Sequence, residues 1–160
     1  TRLVRRHSQS RRTIAVFAVV SRLGDGIIWY LLMLGLLLFG GEAGQRVVLQ
    51  MALLGLTSLL VYKSLKQISR RPRPLAVEQT LRTRVAPLDE FSFPSGHTLH
   101  AVGFTLVASD AYPLAGLLLW PFCAAVAMSR VVLGLHYPSD VIAAIGLGWA
   151  LFEATTLALA

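Results

Sequence analysis

Long apolar stretches alternate with short polar ones along this chain, and five of the apolar stretches are candidates for membrane crossing. Residues 47–65, 114–127 and 141–160 are nearly free of charge, and the first and last approach the roughly 20 residues a helix needs to span a bilayer. Residues 27–39 reach that length only if their helix starts near Leu23 and continues past Gly40. The fifth stretch, 99–108, is interrupted by His100 and must extend from Ser95 to about Tyr112. The pattern predicts an all-α integral-membrane bundle of about five transmembrane helices, or six if the short run 14–20 also crosses. That run is too short to cross alone and precedes Ser21-Arg22-Leu23-Gly24-Asp25-Gly26, so it is read as an interfacial segment that bends into the first span. Residues 40–44 are read as the loop between spans one and two.

Composition agrees with a membrane setting. Of 160 residues, 55% are hydrophobic and 14% charged, against roughly one quarter charged in soluble domains. The length suits a single domain, residues 1–160, with 1–22 as basic tail and interfacial segment. Residues 66–94 form the one long polar stretch and are read as the active-site loop, since long loops in compact domains tend to carry function. No small-residue cleavage site follows the apolar run after the basic tail, so no signal peptide is expected. The lone Cys123 cannot form an internal disulfide.

The net charge of +7 changes the picture only through its distribution. Arginines crowd residues 2–12 and the segment 63–84, beside spans and not along a soluble face, which points to anionic lipid headgroups and away from nucleic acid.

Three segments carry candidate chemistry. Lys66 to Pro74 gathers cations where span two leaves the hydrocarbon. Phe93-Pro94-Ser95-Gly96-His97-Thr98 opens span three, with Ser95 suited to cap the helix and Gly96 to let a ligand approach the backbone. Exposed N–H groups at such a helix start attract anions, and His97 falls on the first turn. Ser129-Arg130 through His136-Tyr137-Pro138-Ser139-Asp140 joins span four to span five. Pro138 fits the first helical turn, and Asp140 lies four residues after His136, close enough to accept a hydrogen bond from one ring nitrogen. Counting the spans brings all three segments to one membrane face.

Lys66 with Arg73-Pro74, Pro94-Ser95-Gly96-His97, and Ser129-Arg130 through His136 to Asp140 resemble the signature of the type 2 phosphatidic acid phosphatase (PAP2) superfamily. Every element is present, in order and with the family's spacing, and the likeness covers roughly residue 49 to the end of the chain. Spacing pairs Lys66 with Arg73, which leaves Lys63, Arg70 and Arg71 as headgroup contacts and His100 as a packing or supporting histidine. The resemblance implies His136 as nucleophile, His97 as general acid and Asp140 as the partner of His136. Lys66, Arg73, Arg130 and the backbone at Ser95 and Gly96 would hold the phosphate.

By the same resemblance the reaction is hydrolysis of a phosphate on a membrane lipid through a phosphohistidine, with a cationic cage in place of a metal and no cofactor. Substrates open at this point are undecaprenyl diphosphate, phosphatidate, phosphatidylglycerophosphate and lipid A phosphate, with a lean towards a prenyl diphosphate by analogy with small bacterial relatives. A lipid-to-lipid phosphotransferase would share the first half-reaction. Vanadium haloperoxidases carry the same segments but are soluble and larger. The expected location is the bacterial inner membrane. Charge bias puts the site on the cytoplasmic side, whereas the resemblance favours the periplasmic side.

Overall fold

The computed structural model describes residues 11–77 and 90–160; the basic tail at 1–10 and the part of the long loop at 78–89 lie outside the described residues. Regular structure among the described residues is helical: α1 (Arg11–Arg22), a π-helical turn (Leu23–Ile27), α2 (Ile28–Phe39), α3 (Gly41–Ser69), the single turn α4 (Pro74–Val77), α5 (Gly96–Ala111), α6 (Pro113–Val132) and α7 (Pro138–Leu159). Among the described residues four stretches are long and apolar enough to cross a membrane: Arg12–Phe39, Gly41–Ser69, Pro113–Val132 and Pro138–Leu159. Large apolar side chains such as Phe39, Leu60, Leu114, Leu118 and Leu157 are exposed on these helices, as a bilayer permits and water does not. The protein is a multi-pass membrane protein.

The remaining expected span, α5, is a helix of 16 residues, about 24 Å long at the usual rise and so short of a hydrocarbon core of about 30 Å. It packs against α3, α6 and α7 and is buried along most of its length. Protein surrounds it, so it needs neither full length nor an apolar outer face. Small residues bring its neighbours close. A Cβ at Gly103 would fall 2.6 Å from the Leu54 side chain of α3, and one at Gly148 of α7 would fall 3.1 Å from the Leu99 carbonyl oxygen.

Two expectations are corrected. Residues 14–20 belong to α1, which continues through the π-turn into the first span. Ile14, Phe17 and Ala18 pack, together with Leu75, against Leu133 and Leu135, so α1 caps the end of the bundle where α6 stops. An amphipathic run reads equally as interfacial or as packed, and here a protein surface takes its apolar face. The bend itself follows from glycine: Gly26 adopts φ 135°, a conformation that residues with a side chain rarely reach. Residues 40–44 are also not a loop. Only Gly40 separates α2 from α3, and Gly44 is a helical residue whose Cβ would collide with the Leu36 carbonyl.

Trp29 of α2 joins three helices, with its ring centroid 5.5 Å from that of Phe104 on α5 and 5.8 Å from that of Phe122 on α6. Met51, Leu54, Val107, Cys123 and Val126 fill the same core.

Candidate active site

The site is assembled where helices end. At Arg70 the backbone turns left-handed, at φ 44°, and its N–H closes on the Lys66 carbonyl, so the chain leaves α3 after Ser69 with Lys66 on its last turn. The returning strand of the loop is tied down by the Ser92 N–H, which donates to the Arg71 carbonyl at 2.8 Å. The starts of α5 and α7 are joined by the Ser95 N–H, which donates to the Asp140 carbonyl at 3.2 Å. After α6 the chain turns at Gly134, and the N–H groups of Leu135 and His136 both donate to the Arg130 carbonyl at 3.0 Å. The five-residue spacer between Arg130 and His136 is therefore a tight return that sets the histidine beside the arginine. All eight residues singled out in the sequence lie at this end of the bundle.

His136 is buried, not set on a water-facing rim. Its Nδ1 lies 2.6 Å from the Ser92 carbonyl oxygen, which can only accept, so Nδ1 carries the proton. That leaves Nε2 with a lone pair, 3.3 Å from Arg73 Nη1. Burial pushes the His136 pKa down to about 4, with Arg73, Arg130 and Lys66 adding to the effect and Asp140 opposing it. The ring is neutral at pH 7 and Nε2 is a free base.

The expected Asp140–His136 hydrogen bond is replaced by a longer contact, with Oδ2 3.7 Å from Nδ1. The Asp140 carboxylate instead accepts from the Tyr137 N–H at 2.9 Å, closing the cap of α7, and from Arg71 Nη1 at 2.7 Å. Arg71 also donates to Ser139 Oγ at 2.9 Å and lies over the Tyr137 ring, 4.2 Å from its centroid. It is a structural partner of the third segment and not a headgroup contact, because its guanidinium is held by that buried carboxylate. Asp140 acts on His136 through charge at close range and through the turn it caps.

Lys66, Arg73 and Arg130 are buried. Lys66 Nζ donates to the Phe91 carbonyl at 2.8 Å, Arg73 Nη1 to the Leu135 carbonyl at 2.8 Å, and Arg130 Nη1 to Ser21 Oγ. Three buried cations held at one place make a strong receptor for a tetrahedral dianion. Ser95 stands at the N-cap of α5, but its hydroxyl pairs with Thr98 Oγ1 at 3.0 Å and caps no backbone N–H. A Cβ at Gly96 would make only ordinary contact with the Tyr62 ring at 3.5 Å. The fold alone does not require glycine there, which fits a backbone left open for a ligand. His97 Nε2 pairs with Asp25 Oδ1 of the π-turn. His100 packs between Tyr62 and Phe104.

A cavity of about 890 Å³ opens on this cluster. Lys66, Arg73, Gly96, His97 and Arg130 line its polar end, and Met33, Met51, Leu56, Leu59 and Phe104 its apolar end. His136 and Asp140 are not in the lining; His136 lies behind Arg73, which borders the cavity. Among the described residues no three His, Cys, Asp or Glu side chains converge as a metal site would require. Sequence reasoning missed Ser92, whose contribution is a carbonyl and leaves no side-chain signal. It also missed Ser21 and Asp25, although a carboxylate inside an apolar run is itself a signal.

Comparison with known proteins gives the family. The sequence model of the PAP2 superfamily matches residues 46–159. Undecaprenyl-diphosphatase BcrC of Bacillus subtilis is 28% identical over 138 residues, which is 82% of this chain and 69% of that protein. Phosphatidylglycerophosphatase B of Escherichia coli is 34% identical over 87 residues, 50% of this chain and only 34% of the relative. The crystal structure of Aquifex aeolicus LpxE aligns with a TM-score of 0.80 at 23% identity, covering 98% of this chain and 92% of that one.

Proposed function

This chain belongs to the PAP2 superfamily, and we propose that it hydrolyses a phosphomonoester or diphosphate on a membrane lipid through a phosphohistidine at His136. The observation that carries this reading is the Nδ1 contact to the Ser92 carbonyl, which leaves Nε2 as an uncharged nucleophile beside three cations. The cavity suits a lipid phosphate, since its cationic end continues into an apolar channel.

Arg73 donates to Nε2 at 3.3 Å, and a phosphate oxygen offers that guanidinium a stronger, charge-assisted acceptor. Binding would thus draw Arg73 onto the phosphoryl group and release the lone pair. Nε2 attacks phosphorus, the bond to the leaving oxygen breaks with its electron pair, and that oxygen takes a proton from His97. Lys66, Arg73, Arg130 and the Gly96 N–H stabilise the charge on the equatorial oxygens, the Ser95 N–H being held by the Asp140 carbonyl. Water then attacks phosphorus while giving a proton back to His97, and the N–P bond breaks with its electron pair returning to Nε2. The cations do the work that a metal does in other phosphatases.

A prenyl diphosphate is the favoured substrate, supported by the diphosphatase name of the Bacillus relative, and the favoured location is the inner membrane with the site facing the periplasm. The test is phosphate release in detergent from undecaprenyl diphosphate, phosphatidate, phosphatidylglycerophosphate and lipid A phosphate, in excess chelator and with vanadate as inhibitor. Release of inorganic phosphate from one of them supports the reading. Transfer to a second lipid without free phosphate would make the protein a phosphotransferase. Activity lost in EDTA and restored by Mg²⁺ would overturn the metal-free mechanism.

A further inference from the structure

We infer that Asp25 is a positioning residue for His97, so that the site contains a histidine–carboxylate pair besides the carbonyl-held His136, and that the segment before the family signature supplies its carboxylate. This rests on the reaction proposed above. His97 Nε2 pairs with Asp25 Oδ1, and the two side chains come from segments 72 residues apart, the π-turn and the first turn of α5. The π-turn is held in place on both sides. Gly24 meets Val126 of α6 so closely that a Cβ would fall 2.9 Å from its side chain, and Ser21 Oγ accepts from Arg130 Nη1. Asp25 and His97 both line the cavity, beside Arg130.

The arrangement has a chemical consequence. With Nε2–H held by a carboxylate, Nδ1 is the ring atom left to exchange a proton with substrate. In the first half-reaction the imidazolium gives its Nδ1 proton to the leaving oxygen and keeps Nε2–H on Asp25. In the second, the bare Nδ1 takes the proton from water. One fixed ring orientation thus serves both steps, and Asp25 sets a carboxylate against the burial and the Arg130, His136 and Arg73 charges that hold the His97 pKa well below its ordinary value. His136, whose Nδ1 donates to a neutral carbonyl, is kept neutral as a nucleophile must be. The two histidines are differentiated by their partners, a carbonyl for one and a carboxylate for the other.

The test is a double-mutant cycle on the lipid that the wild type hydrolyses, with Asp25→Asn, His97→Ala and the pair, joined by Asp25→Glu as the conservative variant. Loss of general-acid support should lower kcat by roughly 100-fold in each single variant. The double variant should be no slower than His97→Ala, and Asp25→Glu should recover part of the loss. A full loss added on top of His97→Ala, or an Asp25→Asn enzyme as fast as wild type, would overturn the inference while leaving the phosphatase reading intact. A readout independent of turnover separates the two in the other direction. In ¹⁵N-histidine spectra of the detergent-solubilised protein, the hydrogen-bonded Nε2 proton absent from His97→Ala should be lost or shifted in Asp25→Asn. An unchanged signal overturns the pairing even if no lipid is turned over.

Discussion

The Nδ1 of His136 lies 2.6 Å from the carbonyl oxygen of Ser92, and this contact decides which nitrogen can act as nucleophile. His136→Ala should reduce phosphate release by roughly 10³-fold or more, as removal of a nucleophile does. It also strands a buried carbonyl, at a cost of about 1–3 kcal/mol. His136→Asn, whose amide can replace the Nδ1 donor, should restore the melting temperature and leave activity absent. Phosphate release by His136→Ala within tenfold of wild type would remove His136 from the mechanism.

Arg71 holds the Asp140 carboxylate from outside the cavity. Arg71→Ala should destabilise by about 1–2 kcal/mol, less than a fully buried pair because the arginine is partly solvated. With the cap of α7 loosened, kcat should fall about tenfold while KM changes little. A larger effect on KM than on kcat would instead make Arg71 a substrate contact.

The pKa of His136 falls from its ordinary 6.5 to about 4 on folding, chiefly through burial. Below pH 6.5 the unfolded chain takes up a proton that the folded protein refuses. Stability contributed above that pH is therefore lost as pH falls towards 4, by roughly 3 kcal/mol at the full displacement. Thermal unfolding in detergent between pH 7 and pH 4.5 should show a steeper loss for wild type than for His136→Asn, which has no such proton to bind. Equal slopes would mean that folded His136 takes up its proton as readily as the unfolded chain does.

Gly24 of the π-turn sits against Val126 of α6. Gly24→Val should overpack this contact, costing about 1–3 kcal/mol, and separate Ser21 from Arg130. Phosphate release should drop with it. Val126→Ala in the same chain should recover much of both, because it returns the lost space. Failure of that rescue would argue that Gly24 is required for its backbone and not for its size.

Ile14, Phe17 and Ala18 of α1 share the Leu133–Leu135 cluster with Leu75, which puts α1 at the same end of the bundle as α4. Single cysteines at Ser8 and at Thr83, in a Cys123→Ser background, should both react with an impermeant thiol reagent in intact cells if the site faces outward. Neither would react if it faces the cytoplasm. Reaction of one alone would show a membrane crossing between them that this packing does not allow.

The sequence made much of this legible because hydropathy is a property of side chains read one at a time. Spans two, four and five were visible in it, and so were the ends where Lys66, Ser95, Arg130 and His136 stand. The first span was harder, since a run of apolar residues broken by Gly24-Asp25-Gly26 does not reveal whether the helix stops or bends. At the site, the residue types and spacings were readable, but not the hydrogen bonds that decide proton positions. Ser92 contributes a carbonyl, which every residue has. Arg71 and Arg73 are two positions apart in the same Arg-Pro repeat, and only the fold sends one to Asp140 and the other to His136.

The match to the family's sequence model begins at Arg46, after α1 and α2 have ended. A polypeptide cut to residues 46–159 would keep every signature side chain and lose Gly24, Asp25, Gly26, Trp29, Tyr30 and Met33 from the cavity wall. It would also expose the α6 surface that Gly24 covers and deprive Arg130 of Ser21. Expressing α1–α2 and the remainder as two separate polypeptides should therefore reconstitute activity only when both insert in the same membrane, making this a split enzyme whose halves meet at Val126.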